Sequence, residues 1–287
     1  MSRFTRSLEL FRSSWNVLRT DRELVALPLV SAVVSLVVLA TFAVPGWFSL
    51  HEVTATDVTT GNETTSLAPT VLTFVIGIAF YIVAAFVVVF FNAALMFAAN
   101  ERFEGGNPTL GSALAGAWSH RGAILRWAVV SAVVSMVIKQ IQEQGGLLGR
   151  LVGGLLGFAW TTATFIVVPT MVVEGVGVRE AFKRSTESIR STWGENLIGQ
   201  GGLGLVQALA SLPCLAVGIL GAYLLDTSVA LGIAVIAMAA IAFFGVAIVM
   251  TALGAIFQTA LYRFASHKEI AEFDPALLTS AFGPKPA

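Results

Sequence analysis

The sequence predicts an all-α fold: a polytopic membrane helix bundle with six transmembrane helices and amphipathic interfacial helices. Three observations lead to this prediction. The chain is 56% hydrophobic and only 12% charged, with a mean hydropathy of +0.83, whereas charged residues make up about 25% of a soluble domain. It contains several long uncharged stretches. Finally, all but two of its 17 Lys and Arg residues fall on alternate connections between the apolar segments, which is the distribution that the positive-inside rule describes.

Five spans follow directly from the uncharged stretches. Each stretch exceeds the roughly 20 apolar residues that a helix needs to cross about 30 Å of hydrocarbon. Asp226 is the only charged residue between the last two, so we expect those two to form a tight helical hairpin. The whole chain, residues 1–287, is predicted to be a single integral membrane domain. The five stretches are Leu24 to Leu50, Thr64 to Asn100, Leu151 to Val173, Asn196 to Leu225 and Thr227 to Tyr262.

A sixth span is predicted between Gly122 and Ile138, which is apolar except for Arg126. Arg126 and Lys139 would lie about 20 Å apart along a helix that rises 1.5 Å per residue. Their long side chains can reach toward opposite headgroup layers, so this segment can cross the bilayer. The alternative is a helix that lies in the membrane interface. That alternative would move the basic segment around residues 179–190 to the outside, against the positive-inside rule.

The cationic side chains also predict the orientation. With six spans, the N-terminal segment, the second and fourth connections and the C-terminal tail carry the Lys and Arg residues, and only Lys139 and Arg150 lie elsewhere. The Thr-rich segment from Ser49 to Pro69 has acidic residues but no Lys or Arg. We therefore predict a multi-pass protein of the cell membrane with both termini in the cytoplasm. The net charge of zero conceals this separation of sign and gives no indication of nucleic-acid binding.

A short amphipathic stretch that ends near a tryptophan precedes the first, third and fifth spans. Trp15, Trp118 and Trp193 are the predicted interfacial anchors, and the second stretch is predicted to start at Asn107-Pro108. This arrangement predicts three tandem repeats of one interfacial helix and two spans, followed by a cytoplasmic tail. The alternative is that any cytoplasmic helix beside a membrane acquires this pattern. The repeats would cover residues 1–97, 107–175 and 177–262, and the tail residues 263–287.

Small residues predict how the fourth span packs. Gly149, Gly153 and Gly157 recur every four residues and form one smooth stripe on a helix. In lipid such stripes allow helix backbones to approach closely. We expect this stripe to pack against another helix of the same chain. The alternative is the seam of a homodimer.

Intramembrane polar residues are the usual indicators of a functional site in a membrane protein. The candidates are Asn92, Gln200, Gln207 and Gln258, and the prolines Pro169 and Pro213 are predicted to kink the fourth and fifth spans. A transporter would bind its substrate near such kinks and amides. The alternative is that each amide makes one interhelical hydrogen bond, worth about 0.6 kcal/mol. We favour the alternative because ion coupling usually requires an intramembrane carboxylate.

No pattern predicts an enzyme, a cofactor or a metal site. His51 is predicted to lie outside the cell while His120 and His267 lie inside, so the three cannot bind one metal ion. Cys214 lies in an apolar run without a neighbouring base. No pair of carboxylates stands where general acid and base catalysis could occur.

Several segments carry a resemblance to a known family. They are the Arg-rich opening with Trp15 and the stretches Phe90 to Leu95, Val168 to Gly175, Glu180 to Ser185, Thr192 to Gly194 and Phe273 to Phe282. With these segments the chain resembles an uncharacterised prokaryotic family of integral membrane proteins. More distantly, it is similar to the six-span membrane domain that accompanies some glycerophosphodiester phosphodiesterases. The resemblance implies a membrane protein and supplies no catalytic residues.

The leading functional hypothesis is a non-enzymatic membrane component whose cytoplasmic interfacial helices engage membrane lipid or a protein partner. A basic rim beside anionic headgroups is the observation behind it. One alternative is a transporter of small molecules or lipids. Another is a membrane accessory to a lipid-processing enzyme, which the distant resemblance implies.

Overall fold

A computed structural model describes residues 14–19, 21, 23–56, 63–192, 201–266 and 268. The predicted all-α polytopic bundle is confirmed, because nine helices can be bounded within these ranges. Residues 14–19 are also helical. The nine helices are α1 (Glu23–Phe48), α2 (Val71–Phe103), α3 (Leu110–Ser119), α4 (Arg121–Gln144), α5 (Gly146–Ala163), α6 (Val167–Glu174), α7 (Val178–Thr192), α8 (Gly201–Leu224) and α9 (Val229–Ala265).

Six helical segments are long and apolar enough to cross a membrane: α1, α2, α4, α5 together with α6, α8 and α9. The segment that contains Arg126 belongs to α4, a helix of 24 residues. At 1.5 Å per residue this helix is about 36 Å long, which exceeds the roughly 30 Å of hydrocarbon in a bilayer. By length and composition the six predicted spans are therefore present. The orientation of the chain in the membrane stays a prediction.

The Thr-rich connection after the first span forms a β-hairpin, which no pattern in the sequence indicates. Strands β1 (Leu50–Thr56) and β2 (Glu63–Pro69) pair antiparallel, from Leu50 opposite Pro69 to Thr56 opposite Glu63. The base of the hairpin is tied to α2, because the hydroxyl groups of Thr70 and Thr73 both donate to the carbonyl oxygen of Ser49, at 2.8 Å. These bonds satisfy a carbonyl group that would otherwise lack a partner at the end of α1.

A short turn interrupts the fourth span close to Pro169. Residues 164–166 form a turn between α5 and α6, and Pro169 lies in the first turn of α6. A helix tolerates proline there, because the N–H groups of its first turn have no partner within the helix. At the break, the hydroxyl group of Ser185 in α7 donates to the carbonyl oxygen of Ala163 at 2.7 Å. Helix α7 therefore satisfies the end of the interrupted helix.

Helix α3 starts later than the sequence analysis predicts. Its first residue is Leu110 and its N-cap is Thr109, so the predicted start at Asn107-Pro108 is wrong. The hydroxyl group of Thr109 accepts from the backbone N–H of Ser112, and the Ser112 hydroxyl group accepts from the N–H of Thr109. This reciprocal capping box determines the start of the helix. Pro108 merely precedes it.

The buried core occupies one end of the bundle, which we call the packed end. It consists of the C-terminal parts of α2 and α9, the N-terminal parts of α1 and α4, and the helices α3, α6 and α7. Its largest fully buried side chains include Leu95, Met171, Leu253, Ile256 and Tyr262. Because the helices that meet here come from the whole length of the chain, the packed end holds the bundle together.

The opposite end, which we call the far end, consists of the hairpin tips around residues 48–71, 144–147 and 225–229. There the spans pack mainly in pairs, as the hairpins α1–α2, α4–α5 and α8–α9. Their outer sides are largely exposed apolar residues, such as Phe48, Val71, Leu147 and Tyr223. Such surfaces are appropriate for contact with lipid, which is as apolar as these side chains.

The predicted repeats agree with the order of these elements, since the helical residues 14–19, α3 and α7 each precede one hairpin. The order of elements does not measure the similarity of the three units, so the repeats stay a prediction. Most of the predicted tail at 263–287 lies outside the described residues.

Candidate functional site

Polar side chains at the packed end form hydrogen bonds between helices that are distant in sequence. Glu174, the last residue of α6, accepts a hydrogen bond of 2.6 Å from the hydroxyl group of Tyr262 in α9. Glu174 also forms an ion pair with Arg184 of α7. Arg184 donates a second bond, of 2.9 Å, to Glu180. The hydrogen bonds to Glu180 and Glu174 raise the pKa of Arg184 above its ordinary value, because they favour the charged form of the guanidinium group.

A second group of polar contacts joins α9 to α2. The guanidinium group of Arg263 donates to Asn100 at 2.7 Å and to Glu104 at 2.9 Å. The Arg263 side chain is only 6% exposed, whereas Glu104 is 57% exposed. The buried charge is therefore compensated by a carboxylate that remains in contact with the polar surroundings, which reduces the desolvation cost of the pair.

A third group joins the start of α1 to α2 and α3. Asp21 forms an ion pair with Arg102 at 3.2 Å. Glu23 accepts from the backbone N–H of Leu110 at 2.6 Å, which satisfies one of the free N–H groups at the start of α3. The hydroxyl group of Ser112 donates to Glu101 at 2.8 Å.

These three groups of contacts satisfy their charged residues internally, and they indicate a structural role. Glu101, Glu104, Glu174, Asp21 and Glu23 each have a partner at hydrogen-bond or ion-pair distance. Among the described residues no group of three His, Cys, Asp or Glu side chains is close enough to hold a metal ion. The polar contacts of the packed end thus connect helices that are distant in sequence.

A groove between α4 and α7, which we call the α4–α7 groove, opens beside this network. Its volume is about 1330 Å³, larger than the roughly 300–1,000 Å³ of an ordinary small-molecule pocket. One side is apolar and the rim is cationic. The groove is lined by Leu125, Arg126, Val129, Val130, Gly177, Val178, Arg179, Glu180, Phe182, Lys183 and Thr186.

The charge of the α4–α7 groove is predominantly positive. Arg126, Arg179 and Lys183 contribute three cations, against the single carboxylate of Glu180, which already accepts a bond from Arg184. Arg126 donates its Nε–H to the carbonyl oxygen of Gly122 at 3.0 Å. Its Nη groups, by contrast, donate no hydrogen bond within the described part of the chain. They are the donors with which arginine binds the oxygens of a phosphate or carboxylate group.

Stacked aromatic rings hold the walls of the α4–α7 groove in place. Trp127 of α4 stacks on Trp160 of α5, with ring centroids 5.9 Å apart. Trp160 in turn stacks on Phe182 of α7, at 6.0 Å. Since Phe182 also lines the groove, these ring contacts hold the α7 side of the groove in position against α4 and α5.

The predicted interfacial tryptophans have different environments. Trp118 is 58% exposed, and the guanidinium group of Arg121 lies over its ring, 5.3 Å from the centroid. Trp15 is 38% exposed. Trp193 lies outside the described residues. Exposure of Trp15 and Trp118 agrees with headgroup contact, although their position in a membrane stays a prediction.

The predicted intramembrane polar site is not assembled in the described residues. Asn92 and Gln258 are half-buried and Gln207 is exposed, and no hydrogen bond joins these three side chains in the part of the chain that the structure describes. None of them lines the α4–α7 groove. Gln200 lies outside the described residues, and Pro213 lies inside α8, which continues past it.

The glycine stripe of the fourth span faces α4 of the same chain. A Cβ atom at Gly149 would overlap the carbonyl oxygen of Ile141, and one at Gly153 would overlap the side chain of Gln142. At Gly157 the closest atom, Cγ2 of Ile138, would be 3.7 Å away. Close approach of α4 and α5 therefore requires glycine at the first two positions, and the third has ordinary contact distances.

The α4–α7 groove was not predicted from the sequence. Arg179 and Lys183 are four residues apart, as are Val178 and Phe182, so the pattern on α7 alone indicates neighbouring cationic and apolar strips on one helix. Nothing in the sequence pattern indicates that α4, which begins 57 residues before α7 (Arg121 and Val178), forms the other wall.

Comparison with known proteins identifies a family. A family model described as "Family of unknown function (DUF6159)" matches residues 71–271, which is more than half of the chain. The chain therefore belongs to this family. No curated protein matches the chain.

Proposed function

We propose that this member of a family without an assigned activity is a non-enzymatic, multi-pass component of the cell membrane whose packed end faces the cytoplasm and engages anionic lipid. The observation that carries the proposal is the exposed cationic surface of α7, where Arg179 and Lys183 lie beside the apolar side chains of Val178 and Phe182. Such a surface suits a helix near anionic headgroups, where each cationic residue contributes roughly 1 kcal/mol.

The carboxylates of the packed end already have hydrogen-bond or ion-pair partners within the chain, which supports a role without catalysis. Its carboxylates are engaged in contacts that join α1, α2, α3, α6, α7 and α9. A general acid or base has to reach a substrate proton, and groups used as helix connections are poorly placed for that task.

Spin-labelled lipids test the proposal directly. In vesicles that contain the full chain, we expect the immobilised fraction of spin-labelled phosphatidylglycerol to exceed that of spin-labelled phosphatidylcholine. The excess should decrease as the salt concentration rises, because salt screens exposed charges. Equal immobilised fractions for the two lipids would contradict the proposal.

The orientation has its own test. In a Cys214→Ser background, Glu187→Cys in α7 and Gln144→Cys at the end of α4 place single thiols at opposite ends of the bundle. In right-side-out vesicles, a membrane-impermeant thiol reagent should label position 144, and should label position 187 only after the vesicles are opened. Labelling of position 187 in intact vesicles would overturn the proposed cytoplasmic location of the packed end.

Transport is the principal competing function. We expect liposomes that contain the protein to show no flux of ions or small solutes above that of empty liposomes. Robust flux that Asn92→Ala abolishes would favour a transporter, since Asn92 is a half-buried amide of α2 between the buried Phe91 and Ala93.

A membrane accessory to a lipid-processing enzyme is a narrower form of the proposal. The resemblance to the membrane domain of some glycerophosphodiester phosphodiesterases supports it, together with the exposed cationic surface of α7. Co-purification with such an enzyme, lost in the variant Arg179→Gln/Lys183→Gln, would favour this form.

A further inference from the structure

We propose that the α4–α7 groove is a specific binding site for one anionic phospholipid, whose phosphate group is bound by Arg126, Arg179 and Lys183 and whose acyl chain lies along α4. This inference rests on the proposed function and deepens it, from a general attraction to anionic lipid to a single site. It assigns the headgroup to the cationic rim and the acyl chain to the apolar wall.

The charges of the groove favour an anionic occupant. Three cationic side chains line it against one carboxylate, and that carboxylate is engaged by Arg184, which does not line the groove. Two of the three cations are arginine, whose planar group can bind two phosphate oxygens at once. Lys183 has only a weak contact within the described residues, at 3.9 Å to Glu187, and both side chains are about two-thirds exposed.

The apolar wall favours a lipid over a free anion. Leu125, Val129 and Val130 of α4 line the groove, and Leu125 and Val130 are 45% and 40% exposed. On the same helix, Val133 and Val137 continue the exposed apolar strip toward the far end. A free phosphate ion would use the cations and leave this wall without a partner, whereas an acyl chain would cover it.

The geometry of the two helices places headgroup and chain in the order that a membrane requires. Helix α4 begins at the packed end and ends at the far end, so Arg126 lies near the start of the strip and Val133 lies deeper in the predicted hydrocarbon layer. Arg179 and Lys183 lie on α7, which follows the packed end of the fourth span. A phospholipid aligned with the bilayer therefore meets the cations with its phosphate group and the valines with its acyl chain.

Native mass spectrometry with detergent-solubilised full-length protein tests the site. Phosphatidylglycerol is titrated in parallel with phosphatidylcholine and with inorganic phosphate. We expect one phosphatidylglycerol molecule to bind at least tenfold more tightly than phosphatidylcholine. Millimolar inorganic phosphate should not displace it, because a free anion lacks the acyl-chain contact. Displacement by inorganic phosphate would show a simple anion site and overturn the lipid assignment.

Matched variants separate this site from general attraction. Arg179→Gln/Lys183→Gln removes two charges from the groove, and Lys139→Gln/Arg150→Gln removes two charges near the far end. All four side chains are exposed, so the two variants are matched in exposure and in charge. The first variant should bind phosphatidylglycerol with an affinity at least tenfold lower than that of the wild type, and the second should keep the wild-type affinity. Equal effects of the two variants would overturn the site while leaving a general preference for anionic lipid, and thus the proposed function, intact.

A variant of the apolar wall tests the acyl-chain assignment. Val130→Trp enlarges an exposed side chain in the groove without changing any charge. We expect it to weaken phosphatidylglycerol binding, whereas Val152→Trp, at an exposed valine of α5 outside this groove, should not. Unchanged binding in Val130→Trp would contradict the proposed position of the chain. For every variant, an unchanged circular dichroism spectrum and elution volume show that the protein is folded.

Discussion

The packed end and the far end of this molecule are built from the same helices but are held together differently. In α2, residues around Phe91 to Phe103 are mostly buried among other helices, whereas Val71, Phe74 and Ile78 of the same helix are exposed. In α9, Leu253 and Ile256 are fully buried, whereas Ile241 and Phe244 are exposed. At one end many helices therefore pack around a shared buried core, and at the other the helices pack in pairs and expose apolar side chains that suit contact with lipid.

The difference teaches that hydropathy does not reveal which part of a membrane helix is a core. Helix α9 is apolar and rich in alanine along both halves. In lipid the hydrophobic effect does not drive helices together, because the lipid chains are as apolar as leucine. The buried core and the interhelical hydrogen bonds of Glu174 and Arg263 lie at the packed end, whereas close glycine contacts such as Gly149 and Gly153 join the two helices of one hairpin near the far end.

The strongest way to test this comparison is to create a cavity at each end of one helix. Leu253→Ala in α9 should lower the free energy of unfolding by about 2–3 kcal/mol, because it removes buried packing contacts. Ile241→Ala in the same helix should change it by less than about 0.5 kcal/mol, because Ile241 is 73% exposed and lipid replaces the lost contact. Unfolding in mixed micelles of increasing dodecyl sulfate content measures both values. Equal losses of unfolding free energy in the two variants would show that packing within the chain stabilises both ends equally.

Glycine replacements sharpen the comparison within the α4–α5 hairpin. Gly153→Leu should destabilise the protein by about 2 kcal/mol, because its side chain would overlap Gln142 of α4. Gly154→Leu is the matched control, since no atom lies within 4 Å of a Cβ placed there. The same unfolding measurement applies. A fully stable Gly153→Leu protein that has changed only its oligomeric state would favour the homodimer seam over the intrachain contact.

The smallest expected difference concerns charge. Arg263→Gln at the packed end should cost about 1 kcal/mol, because it weakens hydrogen bonds of a buried side chain to Asn100 and Glu104. Lys139→Gln near the far end removes an ion pair with Glu143 whose two side chains are 73% and 61% exposed, so we expect a loss below about 0.5 kcal/mol. A larger loss for Lys139→Gln than for Arg263→Gln would contradict the comparison.

Much of the fold could be predicted from the sequence. The number and order of the spans follow from uncharged stretches that are long enough to cross hydrocarbon, and even α4, with Arg126 in it, is a full-length helix. Two local features depend on side-chain hydrogen bonds that the sequence pattern does not show. Thr109 rather than Asn107 caps α3, because its side chain forms the reciprocal bonds with Ser112. The fourth span breaks at residues 164–166, where Ser185 of another helix satisfies the carbonyl oxygen of Ala163.

The candidate site was less predictable. Asn92, Gln207 and Gln258 are notable in the sequence because polar groups are costly in lipid, yet they lie apart in the described structure. The sequence predicts that Arg126 reaches the headgroups and that Arg179 and Lys183 belong to a basic connection. Only the packing of α7 against α4 places these three cations around one groove.

The sequence alone determined that this is a chain of six apolar helices, and it predicted which connections carry the cations. Those properties depend on the transfer of individual side chains from water into hydrocarbon, which composition and length record. The tertiary structure alone decided which end of the bundle is packed, which glycines the α4–α5 contact requires, and that α4 and α7 enclose a cationic groove with an apolar wall. Those properties depend on the shapes and hydrogen bonds of helices that are distant in sequence, and no local pattern encodes them.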